Sequence, residues 1–309
     1  MDQRIVRRLK LRDLHTLQAV VQCRSMAKAA TLLAITQPAI SKTISEIEHT
    51  IGVPLLDRSP RGVTPTAYGE ALLKHSLAIF DELRQSIEEI EFLSDPTIGE
   101  VRIGSPEPLT AFVAAVIDRM TRRYPQITYQ VVAASDSERL YRELRERKID
   151  LVVTRMATRQ PEHDLDAEIL FEDALAVVAA KSNRWHRTRK IDLADLMAEH
   201  WVFTPDDFLM SFVKEAFAAR DLQLPKATVS SLSLAVRTSL LATGRFIGIF
   251  PSFMLKLPKP HPDLKPLAVS LPTTQRPIGI LTLKKRTLSP VGRLFVENAR
   301  QVARPFARN

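Results

Sequence analysis

The sequence predicts an all-α head, one long helix and a two-lobed α/β body. Three observations predict this architecture: closely spaced helical patterns before residue 52, a proline-free stretch from 67 to 94, and strand and helix patterns that alternate from residue 100 onward. The chain has 309 residues, 45% hydrophobic and 26% charged, which is typical of a globular protein. This length favours two or three domains over a single core.

Composition restricts the class of protein. Cys23 is the single cysteine, so a disulfide framework and a CxxC metal site are excluded, and a reducing compartment is expected. The basic start is not followed by an unbroken apolar segment, and eighteen apolar residues nowhere run together. We therefore expect a cytoplasmic protein without a membrane span.

Charge is distributed unevenly along the chain. The formal net charge is +9, and residues 1–65 hold ten Lys and Arg against five Asp and Glu. Residues 66–98 reverse this balance, with two basic residues against seven acidic ones. A basic head followed by an acidic neck suggests that the head binds a polyanion.

The head reads as helices joined by tight turns. Ser25 can cap a short helix, and Thr36 can cap the next one, in which Pro38 falls in the first turn. The helix after Thr36 carries an apolar stripe at steps of four, three and four residues and stops at Gly52. The stripe consists of Ile40, Ile44, Ile47 and Ile51.

With the isoleucines inward, the opposite face of this helix is short and polar. It carries Gln37, Ser41, Lys42 and Ser45. A helix face that only contacts solvent would instead be stabilised by ion pairs between charged residues four positions apart. Gln pairs with adenine, Ser donates or accepts, and Lys reaches guanine or phosphate. Two helices with such a second face are typical of a helix-turn-helix, whose second helix enters the major groove.

A basic turn follows in the segment LLDRSPRGVTPTAYG, with Arg58 and Arg61 around a Pro-Gly bend and Thr64 after it. Such a turn by itself is most often only a turn. Directly after the helix pair it predicts a wing that places arginine on phosphates or in a minor groove.

The acidic neck carries a heptad-type seam. Its spacing of 3-4-3-4-3-4 favours a dimerising helix, and the alternative is a helix packed on its own domain. The seam consists of Leu73, Ser76, Phe80, Leu83, Ile87, Ile90 and Ser94.

The stretches SMAKAA, ITQPAISKTISEIEHTIGVPLLDR and RGVTPTAYG, between Leu11 and Gly69, resemble the winged helix-turn-helix of LysR-type transcriptional regulators. The remaining chain has the length and strand-helix order of that family's effector-binding domain. The segments LHTLQAVVQ, LLDRSPRGVTPTAYG and ATGRFIGIFP are most similar to the subgroup that includes regulators of sugar-binding-protein and protocatechuate-catabolism operons.

The resemblance implies a sequence-specific regulator of double-stranded promoter DNA that is not an enzyme. It implies dimers through the linker helix, assembled into tetramers, and a two-lobed body like a periplasmic binding protein with a small-molecule effector in the cleft. The expected DNA-binding residues are Thr36, Gln37, Pro38, Ser41, Lys42, Ser45, Arg58, Arg61 and Thr64.

The residue patterns and this resemblance together imply the domain boundaries. The winged helix-turn-helix takes residues 1–66, the linker dimerisation helix 67–94 and a hinge 95–99. In the α/β region, lobe I takes residues 100–170 and 272–309, and lobe II takes 171–271.

Ligands of open α/β sheets bind at the carboxyl ends of strands, beside helix N-termini. Hydroxyls and N–H groups there suit a carboxylate, although Ser135 or Asp136 taken singly is better explained as a simple helix cap. Ser137 is similar to a position where the family often places Ser or Thr against the effector. The expected effector-binding residues are Ser105, Thr110, Ser135, Ser137, Thr154, Phe203, Thr204 and Phe250.

Glu107 lies between two prolines without a second carboxylate near it in sequence. We expect a solvated loop acid without a catalytic role. If it faced the cleft, it would argue against a purely anionic effector.

Three other classes of protein are considered. An enzyme is disfavoured because the sequence has no P-loop, GxGxxG, GxSxG or HExxH, and its seven histidines lack metal-ligand spacing; we expect no cofactor and no metal. A solute-binding protein would explain the lobes but not the basic head. A sequence-indifferent DNA binder would need more lysine, and it would not need the short, polar and serine-rich face of this helix.

Overall fold

The fold is that of a computed structural model, which describes residues 8–60, 62–134, 137–257 and 263–307. The chain forms two compact units, Met1–Arg84 and Gln85–Asn309. None of the helices in the described ranges has both the length and the hydropathy that crossing a membrane requires.

The head contains the helices α1 (Leu11–Cys23), α2 (Met26–Leu32) and α3 (Gln37–Ile51). The side chain of Ser25 accepts a hydrogen bond from the Lys28 backbone, and that of Thr36 accepts one from the Ala39 backbone. Both predicted caps are therefore present, and each satisfies a backbone donor that the first helical turn would otherwise leave unpaired.

These helices share one apolar core. Leu17, Ile40 and Ile44 are completely buried, and Ala29 lets α2 approach its neighbours closely. Ile47 is buried as predicted, whereas Ile51 at the end of the stripe is only partly covered.

A β-hairpin and a long helix complete the head and the linker. Strands β1 (Leu56–Ser59) and β2 (Gly62–Pro65) pair antiparallel, and α4 spans Ala67–Ser94. The carboxylate of Glu48 on α3 accepts hydrogen bonds from the backbones of Leu55 and Leu56, at 2.8 and 3.2 Å. This side chain fixes where the hairpin starts.

The second unit contains two five-stranded sheets, which define the two lobes. In lobe I the strand order is β4-β3-β5-β12-β6, where β3 is parallel to β4 and β5, and β12 is antiparallel to β5 and β6. These strands are β3 (Ile98–Pro106), β4 (Gln126–Ala134), β5 (Leu151–Arg155), β6 (Leu165–Asp173) and β12 (Arg276–Leu283).

In lobe II the strand order is β11-β7-β10-β8-β9. The central strand β10 is parallel to β8 and antiparallel to β7, and β8 is parallel to β9. The strands are β7 (Leu175–Ala180), β8 (His200–Phe203), β9 (Ala227–Ser230), β10 (Phe246–Pro251) and β11 (Leu264–Pro266).

Among the described residues, five α-helices cover these sheets. Phe112 and Phe295 fill the core of lobe I, and Trp201 and Phe217 fill that of lobe II, all four almost completely buried. The helices are α5 (Thr110–Thr121), α6 (Ser137–Arg145), α7 (Asp207–Ala218), α8 (Leu234–Ala242) and α9 (Pro290–Ala303).

The structure differs from the sequence-based expectation in local details. Strand β3 begins at Ile98, so that residues 98 and 99, expected in the hinge, belong to the sheet. The chain passes from lobe I to lobe II between Asp173 and Leu175, a few residues later than expected. Both sheets are mixed, because β12 runs antiparallel to β5 and β6 in lobe I, and β7 runs antiparallel to β10 and β11 in lobe II.

Candidate nucleic-acid interface and ligand cleft

The predicted polar face lies on the outside of α3. Gln37, Lys42 and Ser45 are exposed, and Ser41 is half-buried, because the buried Ile40 and Ile44 occupy the opposite side of the helix. A helix repeats every 3.6 residues, so positions 37, 41 and 45 follow one another along its length. The face therefore presents amide, hydroxyl and ammonium groups to whatever approaches the head.

Lys42 has one charged neighbour on this face. Its Nζ lies 3.8 Å from Oε1 of Glu46, and both side chains are largely exposed. An exposed pair of this kind contributes about 0.3–0.5 kcal/mol, so it does not prevent Lys42 from exchanging Glu46 for a phosphate.

Thr36 and Pro38 define where the face begins. Thr36 is the N-cap of α3, and Pro38 lies in its first turn, where the missing N–H removes no helical hydrogen bond. The exposed N-terminal end of α3 is thus built from Thr36, Gln37 and Pro38.

The hairpin presents a second polar surface. Arg58 and Thr64 are exposed on β1 and β2, with Arg58 opposite Val63 and Thr64 opposite Asp57. The backbone N–H of Val63 donates to the carbonyl of Arg24 at the end of α1, at 3.1 Å, which ties the hairpin to the helices. The expected contact Arg61 lies outside the described residues.

The two halves of the predicted seam on the linker helix have different surroundings. Ser76 is buried and accepts a hydrogen bond from Gln18 at 3.0 Å, and the ring of Phe80 packs against His15 at 6.0 Å. The alternative of a helix packed on its own domain thus describes the first half of the seam. In the second half, Ile87 and Ile90 are at least half exposed.

A cavity of about 310 Å³ lies between the two lobes. It forms where the parallel strands β3, β4, β8 and β9 end, which is where ligands of open α/β sheets bind. Its lining residues are Glu107, Pro108, Ala133, Ala134, Thr204, Asp206, Leu232, Ser233 and Arg237.

An ion pair crosses this cavity. Glu107 follows β3 in lobe I, and its Oε2 lies 3.5 Å from Nη2 of Arg237 on α8 of lobe II. The other carboxylate oxygen of Glu107 accepts a hydrogen bond from the backbone N–H of Leu234 at 2.7 Å. Glu107 therefore faces the cleft and holds the first turn of α8, which corrects the expectation of a solvated loop acid.

Arg237 is the buried charge of the cleft. Its side chain is 2% exposed, its guanidinium lies over the Phe250 ring at 5.2 Å, and its Nε has no hydrogen-bond partner within the described part of the chain. Burial lowers the pKa of Arg237, and the carboxylates of Glu107 and Asp206 oppose that change. Arginine nevertheless stays protonated, so the cleft contains a permanent cation.

Two further polar side chains of the cavity cap the N-termini of helices in lobe II. Asp206 accepts a hydrogen bond from the backbone of Leu209 and caps α7, and Ser233 accepts one from Val236 and caps α8. Burial raises the pKa of Asp206, although these backbone donors act in the opposite direction. Two helix N-termini thus converge on one cavity.

The expected effector residues separate into several groups. Thr204 lines the cavity, whereas Ser105 and Thr154 are completely buried inside the sheet of lobe I. The hydroxyl of Thr110 donates to the carbonyl of Glu107 at 2.6 Å and so shapes the turn that carries it. Ser137 begins α6 without lining the cavity.

The two aromatic candidates have other positions. Phe203 is buried in the core of lobe II and stacks on Trp201 at 5.2 Å. Phe250 lies under the guanidinium of Arg237 and faces another cavity. Ser135 lies outside the described residues.

That other cavity is larger, at about 960 Å³, and has a different character. Its walls are mostly apolar, with Ala114 and Phe306 among the residues of lobe I and Val178 and Leu264 among those of lobe II. None of the charged side chains described in its wall is buried, so it offers less polar specificity than the small cavity.

Sequence reasoning missed Arg237, Asp206 and Ser233 as cleft residues. The one signal in the sequence was a single arginine inside the otherwise uncharged segment LSLAVRTSLLATG, since a cation in such a helix needs a specific partner. The described residues contain no group of three or more His, Cys, Asp or Glu arranged to hold a metal ion.

A compact helix-turn-helix with a β-hairpin wing, followed by a two-lobed α/β body with a cleft, defines a ligand-responsive DNA-binding regulator as the class of protein. Two family matches make this specific. Residues 11–70 match the bacterial regulatory helix-turn-helix proteins of the lysR family, and residues 94–304 match the LysR substrate binding domain.

The chain belongs to the LysR family and is a transcriptional regulator with an effector-binding domain, not an enzyme. It is 28% identical over 289 residues to the HTH-type transcriptional regulator GbpR of Azospirillum brasilense, covering 93% of this chain and 84% of GbpR. It is 25% identical over 291 residues to PcaQ of Agrobacterium fabrum, covering 91% and 89%. The predicted resemblance to the family and to these groups of regulators is confirmed.

Solved structures show the same fold. A full-length OxyR variant from Pseudomonas aeruginosa has a TM-score of 0.66 at 18% identity and covers 97% of this chain and 98% of its own. Full-length CbnR in complex with its target DNA has a TM-score of 0.53 at 21% identity and covers 96% and 100%. The predicted architecture of a winged helix-turn-helix, a long helix and a two-lobed effector domain is confirmed.

Proposed function

We propose that this regulator reads promoter DNA with the polar face of α3 and responds to a small molecule bound between its lobes. The observation that carries the DNA-reading part is the polar line of Gln37, Ser41 and Ser45 directly after the cap of α3, in which Gln37 and Ser45 are exposed and Ser41 is half-buried. Gln can pair bidentately with adenine, and short hydroxyls allow close approach to base edges.

The other expected contacts have positioning roles in this proposal. Lys42 and Arg58 are exposed cations that reach phosphates, and Thr64 offers a hydroxyl beside the backbone of the DNA. Arg61, a further contact expected from the sequence, lies outside the described residues. Thr36 and Pro38 set the start of α3, so their effect on binding is through its geometry.

The protein acts as a dimer in this account, and as a tetramer on DNA. The exposed second half of the α4 seam supplies the pairing surface, because Leu83, Ile87 and Ile90 are large apolar side chains on one side of a helix. Paired heads would meet two half-sites of a palindrome. The protein works in the cytoplasm, where promoter DNA is located.

Binding of the effector in the small cavity would alter the contact between the lobes. A ligand shifts such an equilibrium only through a different affinity for the two states. The ion pair of Glu107 with Arg237 gives the cavity this property, since its partners lie on opposite lobes.

The DNA-reading part is tested by fluorescence anisotropy on the upstream intergenic DNA of the protein's own gene and on a scrambled duplex. Gln37→Ala or Ser41→Ala should weaken binding to the specific duplex by about 1–3 kcal/mol and leave the scrambled duplex nearly unaffected. His49→Ala is the matched control, because His49 is exposed on α3 about three turns further along. Equal losses on both duplexes would contradict base readout.

The location of the effector site is tested with two tryptophan substitutions. Ala133 lines the small cavity and Ala114 the large one, and both side chains are exposed, so tryptophan can enter either cavity without disturbing a core. Ala133→Trp should abolish the response to effector while keeping DNA binding, and Ala114→Trp should preserve both. The opposite result would move the effector site to the large cavity.

A further inference from the structure

The small cavity is lined by charges of both signs. Arg237 supplies one buried cation, and Glu107 and Asp206 supply two carboxylates. A simple anion would add a third negative charge to this group, and a simple cation would have to approach a buried guanidinium. A ligand that carries both signs avoids both penalties.

The guanidinium of Arg237 is incompletely paired. Its distance of 3.5 Å to the Glu107 carboxylate is at the outer limit of a hydrogen bond, and Nε is buried without a partner among the described residues. The ring of Phe250 covers one face of the Arg237 guanidinium. Arginine presents donors in a planar fork that matches a carboxylate bidentately, so a ligand carboxylate would satisfy donors that the protein leaves unused.

The carboxylates have acceptor capacity to spare. One oxygen of Glu107 accepts from the backbone of Leu234, and among the described residues the other has only the long contact with Arg237. Asp206 uses Oδ1 to accept from Leu209. A carboxylate offers about four lone-pair sites, and these oxygens therefore suit the three donors of an ammonium group.

We propose that the cleft selects a small zwitterion, a free amino acid or a close analogue. Its carboxylate binds Arg237, and its ammonium group binds Glu107, with Asp206 contributing charge. A cavity of about 310 Å³ is of the size that holds one small molecule. The inference rests on the proposed function, because it names the ligand class for that same cleft.

This binding mode also says what the ligand does to the protein. The zwitterion inserts between Glu107 of lobe I and Arg237 of lobe II and gives each a new partner of opposite charge. The direct ion pair between the lobes is thereby replaced by a ligand-mediated one, which stabilises a different spacing of the lobes.

The first test is isothermal titration of the full-length protein with each of the twenty free L-amino acids. For any amino acid that binds, the C-terminal amide, which lacks the carboxylate, and the N-acetyl derivative, which lacks the ammonium group, are titrated next. At least one amino acid should bind, and each derivative should bind at least tenfold more weakly. The proposal is overturned if none binds, or if benzoate or succinate binds as tightly as the best amino acid.

Charge-removing variants give the second test. Glu107→Gln should weaken binding of the amino acid at least tenfold and strengthen binding of its N-acetyl derivative, because the repulsion of a plain carboxylate is reduced. Arg237→Gln should weaken both ligands. Arg122→Gln is the control, since Arg122 is an exposed arginine at the other cavity. Glu107 is about one-third exposed, so its variant carries the test if the variant of buried Arg237 does not fold.

The result for Ala133→Trp separates this inference from the proposed function. If a compound other than a zwitterion binds the wild type and Ala133→Trp abolishes that binding, the cleft remains the effector site and only the ligand class is wrong. If Ala133→Trp leaves ligand binding unchanged, the proposed site itself is wrong.

Discussion

Arg155 at the end of β5 and Asp173 at the end of β6 form a buried ion pair, with Nη2 2.5 Å from Oδ2, where the chain crosses from lobe I to lobe II. The other carboxylate oxygen of Asp173 accepts from the backbone of Phe253, in the segment that returns from β10. Arg155 also reaches the carbonyl of Thr274 at 3.5 Å, before β12. This pair of side chains thus contacts both segments in which the chain crosses between the lobes, and also the segment that follows β10.

Removal of the carboxylate should destabilise the effector domain. Burial raises the pKa of Asp173 and lowers that of Arg155, and their mutual attraction opposes both changes. Asp173→Asn leaves Arg155 buried without a counter-charge, which should cost about 3–5 kcal/mol of unfolding free energy. Urea denaturation at neutral pH measures this loss.

The neighbouring residue supplies the control for this variant. Glu172 pairs with Arg159, which is largely exposed, so Glu172→Gln should change stability by about 1 kcal/mol or less. Similar losses in both variants would show that the buried pair has no special role at the crossing.

The pKa of Asp150 should make the stability of lobe I depend on pH. Burial opposes ionisation of this carboxyl group, but hydrogen bonds and charge from Arg102, and the charge of Arg286, outweigh it and hold its pKa below the ordinary value. A lowered pKa in the folded state stabilises the protein at neutral pH, and this contribution is lost as the pH falls below about 4.

The measurement is the difference in unfolding free energy between the wild type and Asp150→Asn, from urea curves at several pH values. The difference should be largest near pH 7 and should shrink steadily below pH 4. Asp118→Asn removes an exposed pair with Arg122 and serves as the comparison. A difference for Asp150→Asn that stays constant down to pH 3 would contradict the argument.

At Gly69, the backbone of α4 lies close to the backbone of Leu55 in the head. A Cβ atom at this position of α4 would lie 2.1 Å from the carbonyl oxygen of Leu55, a distance that real Cβ atoms do not show. Gly69→Ala should therefore displace backbone and destabilise the head by about 1–3 kcal/mol. Thermal unfolding followed by circular dichroism measures the effect.

Gly292 is the matched control because it occupies the same third position in α9, and the nearest neighbour of a methyl group added there would be Oγ of Ser289 at 3.4 Å. Gly292→Ala should be neutral or stabilising by up to about 1 kcal/mol, the helix propensity difference. Equal destabilisation by the two substitutions would show that the contact with Leu55 is not the cause.

The exposed seam of α4 predicts the assembly of the protein. Ile87→Glu combined with Ile90→Glu places charge in an apolar pairing surface, so the dimer should dissociate at concentrations where the wild type stays associated. Analytical ultracentrifugation measures the change. Ser86→Glu on the same helix should leave the mass unchanged, and an unchanged mass for the double variant would exclude this seam as the interface.

The parts of the fold that local patterns specify could be predicted from the sequence. The period of Ile40, Ile44 and Ile47 fixes which side of α3 is buried, and the caps at Ser25 and Thr36 fix where α2 and α3 begin. Strand β6 carries only a short alternation of apolar and polar residues, from Leu165 to Ile169, which three consecutive apolar residues interrupt, so its sequence gives a weak strand signal.

The cleft could be predicted only in outline. In α/β topology, the ends of strands and the starts of helices converge on the ligand site. Thr204 was predicted as a cleft residue on this basis, and it lines the cavity. The pairing of Glu107 with Arg237 could not be predicted, because it joins residues that are 130 positions apart on different lobes. Contacts of this kind depend on how two lobes meet, which no local pattern encodes.

The most direct test of the account is a footprint of the purified protein on the intergenic DNA upstream of its own gene, at two salt concentrations. It is recorded without ligand and with amino acids, aromatic acids and sugar acids in turn. We expect a palindromic protected site that survives the higher salt, and whose extent changes with one compound in the wild type but not in Ala133→Trp. Diffuse protection that is lost at higher salt and is indifferent to every compound would contradict a ligand-controlled, sequence-specific regulator.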